Sequence, residues 1–324
     1  MYTSEQIVQQ AAQYMEQLPF PKEPAGLYDP VHYALDGGGK RIRPALLLAA
    51  CNAFSDDLVQ AFPAAAALEI YHTSTLLHDD IMDNAALRRG KPAVHKQWNL
   101  NTAILSGDVM IIEAHRLLGQ CNGLMIPVLL AEFSRMAAGV CEGQQYDMDF
   151  ECREQVERKE YLKMIRLKTA CMMACAAKMG GMIGGADAAD CAILYRFGEA
   201  LGVAFQLQDD LLDTYGDAET LGKAIGGDIL EGKKSFLMIA ALEAASPAQR
   251  QELSGTAASA DLSAPEKIAR VRAIYDALDV AGAAKREIDL YTAQALTELD
   301  ALAVDPVRLE PLRNLAAMMV NRKK

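Results

Sequence analysis

The sequence lacks an excess of positive charge, a long apolar run and a basic leader, and each absence excludes a class of protein. Its 324 residues carry a formal net charge of −11, which excludes a general binder of nucleic acid because such proteins need a basic face. No charge-free apolar stretch of about 18 residues is present, so we expect no membrane span. The first residues include acidic and Gln side chains instead of a basic start and an apolar run, and they predict no signal peptide.

Aromatic residues are scarce, and the cysteines show no pairing pattern. Only 6% of the residues are aromatic whereas 51% are hydrophobic, and the prominence of Leu, Ala and Met favours helices over strands. The seven Cys, an odd number without framework spacing, favour a reducing compartment, so we expect a cytoplasmic protein. Cys171 and Cys175 lie four residues apart, but no His or Cys pair elsewhere completes a zinc set, and we interpret both as core residues.

Apolar residues recur with helical spacing along most of the chain, and no alternating run indicates a sheet. The sequence therefore predicts an all-α fold. No Ser- or Pro-rich linker and no short repeat divides it, so a single domain over residues 1–324 is the simplest interpretation. The predicted helices cover residues 4–18, 43–54, 59–83, 101–119, 124–150, 154–184, 188–215, 233–245, 247–256, 264–280, 282–302 and 306–321.

Two Gly-rich, charged segments interrupt the helical pattern. Residues 36–43 read DGGGKRIR, and residues 215–234 read YGDAETLGKAIGGDILEGKK. Each could be an ordinary surface loop, or it could bind phosphate, because Gly lets backbone N–H groups approach an anion and Lys supplies charge. In a chain this acidic, an anionic substrate would need such a local cluster of cations or a metal.

Carboxylates cluster twice with the same spacing. The two triads, each at positions i, i+1 and i+4 of a predicted helix, are Asp79, Asp80 and Asp83, and Asp209, Asp210 and Asp213. Repulsion between like charges at i and i+4 costs a few tenths of a kcal/mol, so stability alone does not favour the pattern, although a solvated acidic helix end is an alternative for the first triad. Oxygen ligands without His or Cys select Mg²⁺, which shares phosphate oxygens. The repeated triad therefore predicts a site for Mg²⁺ and a polyphosphate.

These motifs resemble those of the trans-prenyltransferases, the farnesyl, geranylgeranyl and longer polyprenyl diphosphate synthases. The resemblance extends from about residue 37 to residue 234, and beyond it only the helical character is similar. The matching segments, in chain order, are GGGKRIRP at 37–44, DDIMD at 79–83, RRG at 88–90, GQQYD at 143–147, LKT at 167–169, FQLQDDLLD at 205–213, GK at 222–223 and GD at 227–228.

The resemblance implies a bundle of antiparallel helices around a deep central cavity, and a homodimer. It implies a head-to-tail condensation of isopentenyl diphosphate with an allylic diphosphate (dimethylallyl, geranyl or farnesyl), assisted by a cluster of three Mg²⁺ ions. Mg²⁺ and basic side chains suit this reaction because they stabilise the charge that develops on a diphosphate leaving group. The allylic cation would need oxygen atoms and an apolar chamber, and Thr169 and Gln206 suit that role by resemblance.

The resemblance also assigns individual residues. The metal ligands would be Asp79, Asp83, Asp209 and Asp213, with support from Asp80, Asp210, Gln144 and Asp147. The catalytic set would be Lys168, Thr169, Gln206 and Lys223. The allylic diphosphate would contact Arg88, Lys168, Lys223 and Lys233, and isopentenyl diphosphate would contact Lys40, Arg43, His72 and Arg89.

His72 has an alternative interpretation, because a single His inside an apolar helix is often a core residue. Its place seven residues before Asp79, where medium- and long-chain relatives also carry His, favours the substrate role.

Product length is predicted from the helix that ends at the first triad. Ser74 and Thr75 occupy the positions at which aromatic residues close the pocket of animal-type farnesyl synthases, so a fifteen-carbon limit is not expected there. Tyr71, with Met110 or Ile111, is predicted to form the floor and to favour geranylgeranyl diphosphate, although Tyr71 could instead face the core. A farnesyl or longer product is the alternative.

Two other functions compete with the synthase. A class I terpene cyclase also ionises a prenyl diphosphate, but its second metal motif differs from DDLLD and it needs no second set of diphosphate-binding cations. A non-catalytic partner subunit of a heteromeric synthase would lose motif aspartates or arginines, and none is missing here.

Overall fold

The computed structural model describes residues 1–216, 225–259 and 261–320, which are almost entirely helical. The predicted all-α fold is confirmed. The chain divides into two compact units. The first contains Met1–Arg135, Met172–Tyr195 and Leu299–Leu315, and the second contains Met136–Cys171, the described residues of Arg196–Glu298 and those from Ala316 onward.

The helices have the following bounds. The first six are α1 (Ser4–Glu16), α2 (Ala25–Leu35), α3 (Ile42–Phe54), α4 (Phe62–Met82), α5 (Val94–Gln97) and α6 (Leu100–Leu118). There follow α7 (Ile126–Glu151), α8 (Arg158–Ile165), a π turn (Arg166–Ala170), α9 (Cys171–Gly184) and α10 (Ala188–Tyr215). The last six are α11 (Gly227–Glu231), α12 (Phe236–Ala244), α13 (Pro247–Ala258), α14 (Ala264–Ala277), α15 (Val280–Asp300) and α16 (Pro306–Val320). A 3₁₀ turn (Val59–Ala61) precedes α4, and β1 (Leu87–Arg88) pairs antiparallel with β2 (Lys91–Pro92).

Most predicted helices are present, and the differences have local causes. Helix α2 was not predicted because Pro24 precedes it and Pro30 lies inside it, and prolines are ordinarily signals for a helix end. The predicted helix over 154–184 is instead α8, a π turn and α9, preceded by non-helical residues. Helix α11 lies within the Gly-rich segment 215–234, most of which is outside the predicted helices.

Small residues set the packing of the first unit. Helix α3 is buried along most of its length, and α9 approaches it closely through Gly180 and Gly184. A Cβ at Gly180 would overlap the carbonyl oxygen of Leu47, and one at Gly184 would lie 2.7 Å from the carbonyl oxygen of Cys51. These two glycines therefore allow the close packing of α9 on α3.

Two further sequence predictions can be compared with the structure. Cys171 and Cys175 are buried, as expected of core residues. Within the described ranges, no helix is both long enough and apolar enough to cross a bilayer.

Candidate active site

The three cations of the segment 36–43 have different environments. The guanidinium of Arg41, which has a left-handed backbone (φ 47°), points to the buried carboxylate of Glu69 on α4. Its Nη1 lies 2.8 Å from Glu69 Oε1, and its Nη2 donates to the carbonyl of Leu35 at 2.7 Å. Lys40, by contrast, is exposed and Arg43 is half-buried. Arg41 therefore holds the segment to the protein, and its neighbours carry the more accessible charge.

A second arginine holds the glycines of this segment. Arg89 follows β1 with a left-handed backbone (φ 53°), and its Nη1 donates to the carbonyl of Gly38. A Cβ at Gly39 would lie 3.0 Å from Arg89 Nη2, so glycine permits the close approach. Burial lowers the pKa of Arg89, and the charge of Arg41 lowers it further. The segment and the hairpin β1–β2 thus concentrate positive charge in one place.

His72 lies near these cations, one turn after Glu69 on α4. Its pKa is well below the usual value, because burial and then the charges of Arg43 and Arg89 disfavour protonation. The ring is therefore neutral at neutral pH, and its buried Nδ1 has no hydrogen-bond partner among the described residues. A neutral imidazole with one donor and one acceptor can bind a polar ligand without adding repulsion to the cluster.

The central aspartate of the first triad is held by Arg88. Arg88 Nε donates to Asp80 Oδ1 at 2.8 Å, and its Nη2 bonds the same oxygen and lies 3.4 Å from Asp79 Oδ2. Asp80 is only 3% exposed, and burial raises its pKa against the opposing effect of Arg88. Asp79 and Asp83, at the end of α4, are partly exposed. A cleft beside the hairpin is lined by Asp80, Arg88 and Arg89.

The central aspartate of the second triad is also held by the protein. Asp210 accepts hydrogen bonds from the hydroxyl of Tyr161 at 2.6 Å, the N–H of Phe236 at 2.9 Å and the Nε2 of Gln206 at 3.0 Å. Burial raises the pKa of Asp210 to about 6, although the three hydrogen bonds act in the opposite direction. Asp210 is therefore a buried acceptor at the centre of a hydrogen-bond network.

The outer aspartates of this triad differ from each other. Asp209 is half-buried, whereas Asp213 is 3% exposed and accepts the N–H of Asp228 at 3.0 Å. Asp213 therefore stabilises the first turn of α11 as well as belonging to the triad. Lys233, which follows α11, forms an ion pair with Glu231 at 3.0 Å. Lys223 lies outside the described residues.

The predicted catalytic residues of the second unit lie on the π turn and on α10. Lys168 Nζ lies 2.6 Å from Asp147 Oδ2 on α7, and Gln144 lies one turn before Asp147. The Thr169 hydroxyl donates to Gln206 Oε1 at 2.9 Å. Since Gln206 Nε2 bonds Asp210, its amide oxygen faces Thr169. Thr169 and Gln206 are thus brought together, and their common role stays a prediction.

The arrangement of the carboxylates suits Mg²⁺, which shares its ligands with water and substrate, better than it suits a metal ion whose ligands all come from the protein. Within residues 1–216, 225–259 and 261–320, no three His, Cys, Asp or Glu side chains converge as a preformed cage would require. Mg²⁺ is usually bound through one or two carboxylates, and water and substrate phosphate complete its shell. Asp79, in the last turn of α4, and Asp83, which caps this helix, form a pair of this composition.

The comparisons with known proteins agree with this chemistry. A sequence profile described as polyprenyl synthetase matches residues 24–278. The chain belongs to the polyprenyl synthetase family. The geranylgeranyl diphosphate synthase of Methanosarcina mazei is 42% identical over 222 residues, 68% of each chain. The geranylfarnesyl diphosphate synthase of Natronomonas pharaonis is 36% identical over 325 residues, covering 95% of this chain and 93% of that protein. A crystal structure of a geranylgeranyl pyrophosphate synthase is 41% identical, with a TM-score of 0.94 over 100% of both chains.

Three residues that hold the site together have no separate sequence prediction. Arg41 was not distinguished from Lys40 and Arg43, and Glu69 was not noticed, although a carboxylate inside an apolar helix needs a buried partner. No sequence signal identified Tyr161, because its partner Asp210 lies 49 residues away.

The residues predicted to limit product length lie on α4. Tyr71 is 3% exposed, and its ring packs edge-on against Phe133 with centroids 5.3 Å apart. The ring of Phe133 makes a similar contact with His115, also at 5.3 Å. Ser74 and Thr75 donate their hydroxyls to carbonyls three residues earlier on the same helix, at 2.7 and 2.8 Å. Of the two companions predicted for Tyr71, Met110 is fully buried and Ile111 is half-buried.

Replacement of Arg41 is expected to destabilise the first unit because it would leave the carboxylate of Glu69 buried without its counterion. We expect Arg41→Met to lower the free energy of unfolding by about 3–5 kcal/mol and the double variant Arg41→Met, Glu69→Leu to regain most of it. Urea denaturation measures both. Arg286→Met, which breaks an exposed ion pair with Asp279, is the control and should change little. Equal losses in the single and double variants would contradict the buried-charge explanation.

Proposed function

We propose that this chain condenses isopentenyl diphosphate with an allylic diphosphate, head to tail, and releases a trans-prenyl diphosphate. The observation that supports it most is the pair of aspartate triads, in each of which the protein engages the central carboxylate. Arg88 binds Asp80, and a hydrogen-bond network binds Asp210. Membership of the polyprenyl synthetase family supports the same reaction.

We propose that Asp79, Asp83, Asp209 and Asp213 hold the Mg²⁺ ions, with three ions in each active site by family resemblance. When bound, Mg²⁺ supplies positive charge that stabilises the diphosphate as a leaving group. Arg88 adds a guanidinium beside the first triad, where it also neutralises Asp80. Lys168, paired with Asp147, supplies an ammonium group for the allylic diphosphate, and Lys223 and Lys233 are proposed to contribute further cations.

The cations near the glycine segment are proposed to bind isopentenyl diphosphate. Lys40 and Arg43 flank a segment whose position is set by the Arg41–Glu69 ion pair, and Arg89 bonds the same segment at Gly38. A neutral His72 can add a hydrogen bond without repelling the cations. A terpene cyclase would need no such second set of cations, and this favours the synthase.

The allylic cation is proposed to be stabilised by oxygen atoms of Thr169 and Gln206. The hydrogen bond from Gln206 Nε2 to Asp210 fixes the orientation of the Gln206 amide. Its amide oxygen is therefore turned toward the Thr169 hydroxyl, and the two oxygen atoms lie next to each other. Proton loss after condensation is assigned to the released diphosphate, which requires no dedicated basic side chain.

Loss of an outer aspartate from either triad should abolish turnover without unfolding the chain. We expect Asp79→Ala and Asp209→Ala each to lower kcat by about 100-fold or more, because each loses metal-held charge stabilisation, while relief of like-charge repulsion preserves the fold. Product formation from isopentenyl diphosphate and labelled allylic primers is measured together with the thermal midpoint.

Asp289→Ala is the matched control, since this aspartate is exposed on α15 and belongs to neither triad. It should keep full activity. Near-normal turnover in Asp79→Ala or Asp209→Ala would contradict the metal assignment. A chain that is inactive alone but active with a second subunit would identify the non-catalytic partner, and a cyclic hydrocarbon product would identify the cyclase.

We propose geranylgeranyl diphosphate as the product, with Tyr71 as the floor. The contact of Tyr71 with Phe133 immobilises the aromatic ring, and Ser74 and Thr75 leave room nearer the first triad. Tyr71 lies about 6 Å further from Asp79 than Thr75 does, at about 1.5 Å of rise per residue, which is close to one isoprene unit. Relatives named for different products have comparable identity to this chain, so overall identity does not determine the product length. The prediction of product length therefore rests on the residues of the floor.

Removal of this floor should lengthen the product. We expect Tyr71→Ala to shift the products beyond twenty carbons because the chain can grow past the missing ring, whereas Tyr71→Phe keeps the ring and should keep the length. Chromatography of the dephosphorylated products measures the distribution. An unchanged length in Tyr71→Ala would exclude Tyr71 as the floor.

We propose that the chain forms a homodimer through α6. Leu105 and Ile112, seven residues apart on one face of this helix, are 58% and 64% exposed, and Ile104 extends the same apolar stripe. A two-fold interface uses the same surface of both copies, so a helical stripe can pair with itself. Sedimentation should give twice the chain mass, and Ile112→Lys should give the monomer; a wild-type monomer would contradict the proposal.

The single domain and the cytoplasmic location stay predictions.

A further inference from the structure

The backbone that carries Lys168 and Thr169 is a π turn. Across Arg166–Ala170 the hydrogen-bonding pattern widens, and the N–H of Cys171 donates to the carbonyl of Arg166, five residues earlier. Such turns are rare and often occur at functional sites, because the added residue redirects the side chains around it. Here the turn directs Lys168 to Asp147 on α7 and Thr169 to Gln206 on α10.

Two glycines allow the neighbouring helices to touch the backbone of this turn. A Cβ at Gly143 on α7 would overlap the backbone nitrogen of Lys168 and lie 2.6 Å from its Cα. A Cβ at Gly202 on α10 would lie 2.5 Å from the Cα of Ala170 and 2.7 Å from its Cβ. All of these distances are below 3.0 Å, which is shorter than real Cβ contacts, so any larger residue at either glycine would push the turn away.

The spacing on the two helices is the same. Gly143 lies four residues before Asp147, and Gly202 lies four residues before Gln206, so each glycine is one turn before the partner of a catalytic side chain. All of these residues belong to the second unit. The backbone contact at each glycine therefore sets the distance across which Lys168 meets Asp147 or Thr169 meets Gln206.

We propose that Gly143 and Gly202 are positioning residues that hold the π turn at the distance required by the reaction. Gly143 sets the place of the Lys168 ammonium against the allylic diphosphate, and Gly202 sets the place of the Thr169 and Gln206 oxygens against the allylic cation. This inference rests on the proposed function, because it gives the two glycines separate parts in diphosphate binding and in cation stabilisation.

The chain supplies a matched control on the same helix. Gly139 lies one turn before Gly143 on α7, and a Cβ there would be 3.6 Å from Leu167 Cδ2 and 3.8 Å from Cys171 Sγ, which is ordinary contact. Because Ala favours helix over Gly, Gly139→Ala should raise the thermal midpoint slightly and leave kcat unchanged. Any effect of Gly143→Ala beyond this is then due to its contact with the turn.

The experiment compares Gly139→Ala, Gly143→Ala and Gly202→Ala with the unmodified chain. It measures the thermal midpoint, kcat, the KM for isopentenyl diphosphate and, by calorimetry with Mg²⁺, the affinity for an unreactive allylic thiodiphosphate. Displacement by about 1 Å can cost about 100-fold in rate, so we expect losses of that order in kcat for both Gly143→Ala and Gly202→Ala. The analogue should bind about tenfold more weakly to Gly143→Ala, which displaces Lys168, and normally to Gly202→Ala. The KM for isopentenyl diphosphate should not change.

Several outcomes would overturn the proposal. Wild-type kcat in both Gly143→Ala and Gly202→Ala would do so, as would losses that only follow the fraction of unfolded protein at the assay temperature. Equal weakening of analogue binding in both variants would refute the division of parts between the glycines. Failure of the unmodified chain to make a prenyl diphosphate would instead refute the proposed function, and the unmodified chain is assayed first for this reason.

Discussion

A carboxylate removed from water needs a partner, and this constraint explains how both aspartate triads are built. In each triad the central residue is deeply buried, and the protein supplies its partners: Arg88 for Asp80, and Tyr161, Gln206 and the Phe236 N–H for Asp210. These bonds fix the helix around the triad, so the outer aspartates lie on a face of defined orientation. Each cluster of like charges therefore depends on a central carboxylate that the protein neutralises or hydrogen-bonds.

Near the glycine segment 36–43 the clustered charges are positive, and they also need partners of opposite charge. Arginines that lie close together repel one another, and the buried carboxylate of Glu69 offsets part of this positive charge through Arg41. His72 avoids adding to it by staying neutral, since burial and the neighbouring guanidinium groups lower its pKa. The Arg41–Glu69 ion pair and the uncharged ring of His72 thus reduce the electrostatic repulsion within the cluster of cations.

The sequence was sufficient for those features that depend on local spacing. Helical periodicity predicted the all-α fold, and the i, i+1, i+4 pattern predicted which aspartates share a helical face. The partners of the central aspartates could not be predicted, because Tyr161 and Phe236 lie 49 and 26 residues from Asp210. Arg41 has the same charge as its neighbours, so only burial reveals its different role. The π turn was also missed, because one additional residue scarcely alters the apolar spacing of a long helix.

The π turn also restricts which changes of chain length the protein can accept. A turn closed over five residues contains one residue more than an α-helical turn, and the side chains of Lys168 and Thr169 reach two different helices because that residue is present. Deletion of one residue within Arg166–Ala170 would restore the α-helical register and rotate the following residues by about 100°. Either Lys168 or Thr169 would then lose its partner. Insertions and deletions among related chains should therefore fall outside this segment, and its five-residue length can serve as a fixed reference when their sequences are aligned.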